Sequence, residues 1–407
     1  MTKLYFDCRD LLRAVRLGWS GKKIGLSFSG LIIAYLGYAI LTYVALLAEG
    51  QSFGAIWGTY GLYPWVCGSG VPWYSWVIYV AGILFAIVVL FRYATAVARI
   101  SYRQLKGDDF YSMGDARNYV KKNWKATIFS PLALLGMMAF LILCGALIGL
   151  LARIPYVGEL AFSLGLPLIF AVSLFVVFLW VVFIVSLVLA PAIVGITGED
   201  TLETVIQLFS TVWSQPWRLV LYEILLKIYA VLATAILGIF SFKAAQLIHW
   251  ACGLWMGEKM DSIIQVAVRL LPAQCPVPGG FIGGTPAGVG GTLLVSGWIA
   301  GIMMVLLAFF ILSYSFSICC AGQTLIYLIL RQKKDDENLL EKKDQEEEEE
   351  EEREREEEER KLEEEKKQAE KVEEKEEVKG EEVKEEASEE KAEAAPGAAE
   401  KPEEEKE

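Results

Sequence analysis

The chain has 407 residues, of which 54% are hydrophobic and 12% aromatic, more apolar than an ordinary soluble domain. Its formal net charge of -12 averages two opposite parts: residues 1–330 carry 20 Lys+Arg against 13 Asp+Glu, and residues 331–407 carry 18 against 37. A basic apolar body followed by an acidic low-complexity tail excludes a single water-soluble globule, so the two parts are read separately.

The first element is a short polar helix from Asp7, "DCRDLLRAVRLGW". An apolar run follows at Ile24–Leu47. It exceeds the ~7–15 residues of a signal-peptide core and is followed by "ALLAEG" rather than a small-residue cleavage site, so it reads as an uncleaved anchor. Five further runs approach or exceed the ~20 residues a helix needs to cross a bilayer: Tyr74–Phe91, Pro131–Leu151, Leu168–Ala190, Leu219–Ser241 and Leu293–Cys319. The apolar stretch 157–190 would be roughly 51 Å long as one helix, more than a ~30 Å hydrocarbon core holds. Pro167 is the natural divider, which predicts a short surface helix over 157–166. Ser130-Pro131 and Gln215-Pro216 read as helix starts, and Pro191 as a helix end.

Between the runs, Lys and Arg alternate in number. The segment before the first span holds six, the next loop none, and residues 92–130 eight; the summed contrast is 15 against 4. By the positive-inside rule both termini are expected in the cytoplasm. Trp57, Trp65 and Trp73 in the first outer loop suit an interfacial belt.

A capping residue precedes a tryptophan by twelve positions three times: Asp7 and Trp19, Ser112 and Trp124, Thr201 and Trp213. The spacing suggests three parallel units of surface helix, span, outer loop and span. The alternative is that each inward turn separately needs an amphipathic connector. In the last outer loop, Met260, Ile263, Ile264, Ala267 and Leu271 recur at helical spacing. The glycine-rich "CPVPGGFIGGTPAGVGG" lacks the G-K-[ST] of a phosphate loop and reads as a connector. The tail has many Glu-to-Lys/Arg pairs at three and four positions but no apolar stripe, which predicts a charged helix fraying into disorder.

Candidate chemistry is sparse. Glu223 and Lys227 lie four residues apart inside the fifth apolar run, in the favourable order for an intramembrane ion pair. That pair is either a structural staple or part of a polar cavity. Cys252 and Cys275 share one outer loop and form the candidate disulfide. His249 is the single histidine and stands beside Trp250. No zinc spacing, nucleophile elbow or nucleotide loop appears, so no catalytic residue, metal or cofactor is expected.

The segments "TAVARISYRQLKGDDFYSMGDARNYVKKNWKATIFSPLALL" and "LAPAIVGITGEDTLETVIQLFSTVWSQPWRLVLY" resemble uncharacterised bacterial polytopic membrane proteins. More remotely they are similar to the membrane domain that accompanies some bacterial glycerophosphodiester phosphodiesterases. The resemblance implies a helical membrane domain and no activity, since no phosphodiesterase domain is present.

The sequence thus predicts an all-α, six-span bundle over 1–330 and a cytoplasmic tail over 331–407. The expected role is a non-enzymatic membrane scaffold or accessory subunit. Its partners would be the lipid bilayer and a cytoplasmic protein met through the acidic tail, not nucleic acid. The alternative is a transporter or permease of a small or lipid-like solute.

Overall fold

The computed structural model describes residues 4–66, 71–268, 291–336 and 338–341, with Arg355 and Arg360. Every regular element among them is an α-helix. In chain order these are α1 (Cys8–Leu11), α2 (Arg13–Gly18), α3 (Gly21–Ala48), α4 (Phe53–Tyr60), α5 (Trp73–Lys106) and α6 (Met113–Leu151). They continue with α7 (Val157–Thr197), α8 (Thr201–Ser214), α9 (Pro216–Met256), α10 (Glu258–Val268) and α11 (Gly291–Asp335). Six of them, α3, α5, α6, α7, α9 and α11, are long and apolar enough to cross a membrane. The chain is a multi-pass helix bundle, as its apolar runs predict.

The helices do not stop where proline led the sequence reading to stop them. α6 starts at a capping box of Ser112 and Asp115 and runs unbroken through Trp124 and Pro131. α7 runs through both Pro167 and Pro191, so residues 157–166 are its first turns and not a separate surface helix. A proline costs one ladder hydrogen bond, whereas a full break within hydrocarbon strands several backbone groups away from water. Gln215-Pro216 behaves as expected, with Pro216 in the first turn of α9. Of the three expected surface units, α8 is a separate helix, α1 and α2 are two short pieces, and the second is fused into α6. Asp7 and Asp200 stand at helix starts without a side-chain cap bond. α11 also continues past Leu330 to Asp335, across the expected domain boundary.

α11 is the post around which the bundle is built. It packs on α2, α3, α5, α7, α9 and α10, and its residues Ile318 to Leu330 are nearly all buried except Cys319. Close approach is bought by small residues, as membrane helices require. A Cβ on Gly195 of α7 would sit 2.9 Å from Ala98 Cβ and 3.0 Å from the Thr95 carbonyl of α5.

One end of the bundle gathers the described beginning and end of the chain and is densely packed. There Lys333 pairs with Asp7 at 2.8 Å, and the Tyr102 hydroxyl donates to Leu339 O at 2.9 Å. Tyr119 donates to Val194 O at 2.7 Å and Arg99 to Ile196 O at 3.3 Å, so both satisfy late carbonyls of α7. The buried Lys23 ammonium donates to Leu17 O at 2.9 Å and ties α3 to the end of α2. Gln207 of α8 bridges Tyr327 and Glu199 by hydrogen bonds. Toward the opposite end, the far stretches of α6, α7 and α9 carry exposed leucines, phenylalanines and isoleucines such as Leu143, Leu164 and Ile239, as a membrane-facing surface requires.

Candidate functional site

Within the bundle α3, α5, α7, α9 and α11 enclose a cavity of about 470 Å³. That lies in the ~300–1,000 Å³ range of small-molecule sites. Its wall is apolar: Leu31 from α3, Leu90, Phe91 and Ala94 from α5, Leu187 and Pro191 from α7, and Leu312 from α11 contribute. No Asp or Glu lines it.

Besides Ser315 of α11, three polar groups interrupt this wall. Lys227 reaches it from α9, an exposed side chain at the mouth, with its ammonium 4.0 Å from Cys319 Sγ. Gln323 lines it from α11 and is 3% exposed, yet neither its Nε2 nor its Oε1 has a hydrogen-bond partner. Pro191 supplies the third. It has no N–H, so the Leu187 carbonyl, one turn earlier in α7, lacks its helical donor beside the cavity. α7 and α9 both pack on α11 but scarcely on each other, and Lys227 stands on the side of α9 that meets the cavity.

The two candidate charges are therefore near one another, but in unlike settings. Glu223 is half-buried beside the Gln323 carboxamide and within the electrostatic reach of Lys227. Among the described residues they close no ion pair within the 4.0 Å of a salt bridge. Helical spacing permits the pair, but the Lys227 side chain follows α11 toward Cys319 instead. Of the candidate disulfide, Cys252 is an exposed free thiol near the end of α9, and Cys275 lies outside the described residues, as do Cys67, Leu271, the glycine-rich connector up to Gly290 and nearly all of the tail. His249 meets Asp261 at 3.0 Å, which joins α9 to α10. α10 packs mainly on α11, where a Cβ on Gly297 would lie 2.5 Å from Val266 Cβ.

On the side toward α4, irregular backbone packs on α3 one helical turn beyond the cavity lining. Three tyrosines of α3 hold the segment after α4. Tyr43 donates to Gly61 O, Tyr35 to Leu62 O, and Tyr38 to Pro64 O at 2.9 Å. Tyr35 lies thirteen residues, about 20 Å of helical rise, below the last residue of α3. The Tyr35 ring also packs on Tyr63 at 6.4 Å and on Phe309 of α11 at 5.1 Å. Leu31 and Leu312, which line the cavity, are one turn beyond Tyr35 and Phe309. Segment 61–66 therefore dips into the bundle as a plug, which membrane proteins tolerate where side chains satisfy the loop's carbonyls. Farther out, Trp57 of α4 stacks on Trp298 at 5.8 Å and on Phe53 at 6.2 Å.

Sequence reasoning singled out Lys227, took Pro191 for a helix end, and missed Gln323 and the tyrosines. A neutral glutamine near the end of an apolar run carries no alarm, and its meaning depends on which neighbours fail to reach it.

No family model, curated protein or solved structure matches this chain. A reading of its function rests on its own residues.

Proposed function

We propose that this protein is a permease-like carrier of a lipid-like solute in a bacterial cytoplasmic membrane, rather than the scaffold the acidic tail suggested. The observation that carries it is the apolar cavity with the exposed Lys227 at its mouth and the buried, unpartnered Gln323 in its wall. A staple would have packed these groups or paired them. Burying an amide without a partner is unfavourable, and proteins retain such groups where water, an ion or a ligand satisfies them; beside an apolar cavity with a cation at its mouth, a ligand fits.

The distribution of Lys and Arg orients the densely packed end and both termini toward the cytoplasm. The cavity then lies toward the inner leaflet, and the plug of residues 61–66 faces outward. This arrangement resembles one state of a carrier: a site reached from one side and blocked on the other. The scaffold reading draws on the absence of a catalytic signature and on the tail, and the tail's partner-binding role is a separate matter from the cavity.

Reconstitution tests the reading. The full chain in vesicles is supplied with a fluorescent lipid, and an impermeant quencher follows its transfer between leaflets. Transfer faster than in protein-free vesicles, slowed by Lys227→Met, is the expected result. Rates equal to those of protein-free vesicles, across neutral and charged probes alike, would overturn it.

A further inference from the structure

Building on that reading of the cavity, we infer the class of its occupant: an anionic lipid drawn from the surrounding leaflet, one acyl chain inside the cavity and its phosphate or carboxylate oxygens against Lys227 and Gln323. Charge argues for an anion. The lining holds one cation and no carboxylate. The Lys227 ammonium has a thiol at 4.0 Å and no anionic oxygen within the salt-bridge limit among the described residues. Glu223 is absent from the lining but close enough to interact with the Gln323 amide and with Lys227, so an anionic headgroup competes with it for both groups.

Hydrogen bonding argues for a headgroup rather than a bare chain. Gln323 offers an N–H donor pair and a carbonyl acceptor, all buried and unsatisfied. An oxyanion takes the donor, and a glycerol or sugar hydroxyl takes the acceptor. A hydrocarbon would leave both orphaned. Shape argues for an acyl chain beside it, because Leu31, Leu90, Phe91, Ala94, Leu187 and Leu312 form a continuous apolar wall next to these groups. The route in is lateral. α7 and α9 scarcely touch each other, and Lys227 stands on α9 where the cavity opens. A lipid slides between these helices from the leaflet without crossing water.

Photocrosslinking of the full chain in lipid nanodiscs tests the inference. Three probes carry the same diazirine in an acyl chain and differ in headgroup: phosphatidic acid, phosphatidylcholine and diacylglycerol. The expected result is labelling of peptides spanning Leu90–Ala98 and Leu312–Gln323 by the phosphatidic acid probe above the other two. Lys227→Met should lower that labelling by about tenfold, the loss of one charge-assisted contact, and Lys227→Arg should restore most of it. Gln323→Leu should weaken phosphatidic acid labelling and raise that of diacylglycerol, because the orphaned amide is gone. Equal labelling by all three probes, unmoved by Lys227→Met, overturns the anionic class and leaves the carrier reading standing. Absence of cavity labelling by any probe overturns both.

Discussion

The Lys227 ammonium of α9 and the Cys319 thiol of α11 stand 4.0 Å apart at the mouth of the cavity. A native thiol thus reports on the place where the functional reading makes its claim. A lipid-soluble maleimide should modify Cys319 in membranes, and excess phosphatidic acid should protect it if the cavity is occupied as inferred. Cys320 is buried on the next position and serves as the internal control, since it should stay unmodified in the folded protein. Mass spectrometry of the α11 peptide reads both. Modification of Cys320 at the rate of Cys319 would mean that the packing around α11 is looser than described.

The tyrosine clamp on the plug makes a separate prediction. Tyr38→Phe removes one phenol from the Pro64 carbonyl and should cost about 0.5–1.5 kcal/mol of stability. Tyr35→Phe does the same at Leu62. The double variant should stay folded, yet admit an impermeant thiol reagent to Cys319 from the outer side. If reagent access is unchanged while thermal stability falls, the plug is structural and does not gate.

Gly195 should resist any side chain. Even Gly195→Ala puts a methyl 2.9 Å from Ala98 Cβ and 3.0 Å from a backbone oxygen of α5. Overpacking of this kind costs about 1–3 kcal/mol, and a larger residue costs more. Gly136 of α6 has nothing within 4 Å of a built Cβ, so Gly136→Ala should be neutral or stabilise by up to ~1 kcal/mol through helix propensity. Thermal unfolding in detergent, measured on the two variants side by side, separates the sites.

Asp7 and Lys333 give a pH signature. The hydrogen bond and charge of Lys333 hold the Asp7 carboxyl below its ordinary value of 3.8. A lowered folded value means that the contact contributes fully above 3.8 and is lost as the pH falls through the lowered value. The pair is exposed, so the effect is small and screened by salt. Thermal midpoints of the protein and of Asp7→Asn should differ slightly near neutral pH at low salt and converge in strong acid. A gap that persists in acid would assign the role of Asp7 to something other than its charge.

Asp10 is the stronger anchor at the same end. Its buried carboxylate accepts from the backbone N–H groups of Tyr5 and Phe6, each at 2.7 Å, and meets Arg13 at 3.4 Å. Asp10→Ala should cost roughly 1.5–3 kcal/mol, the range for hydrogen bonds to a charged group. Faster hydrogen exchange at Tyr5 and Phe6 is the local readout.

The six crossings were legible because hydrocarbon imposes one crude demand, about twenty apolar residues in a row, and each run meets it. The helix ends were not. Pro131, Pro167 and Pro191 read as boundaries by rules learned in water, where a broken ladder is rehydrated at once. In lipid the ladder continues around them, and Pro191 then leaves the Leu187 carbonyl open at the cavity. Ser112 was legible as a cap because its partner Asp115 is three residues away. Gln323 was not, because its significance lies in contacts that no neighbour makes. Nothing in the apolar run singled out Tyr35, Tyr38 and Tyr43, and only the return of residues 61–66 toward α3 reveals what their hydroxyls hold.

The placement of α11 sets an order of events during synthesis. The helix that touches nearly every other one leaves the ribosome after all of them. Until it arrives, Gly18 of α2 has no Ile318 to close upon, and Leu226 of α9 no Gly322. The earlier crossings α3, α5, α6 and α7 pack on one another, but α9 lacks its main partner until α11 arrives. A chain truncated before Gly291 should be cleared by quality-control proteases rather than persist as a smaller working protein.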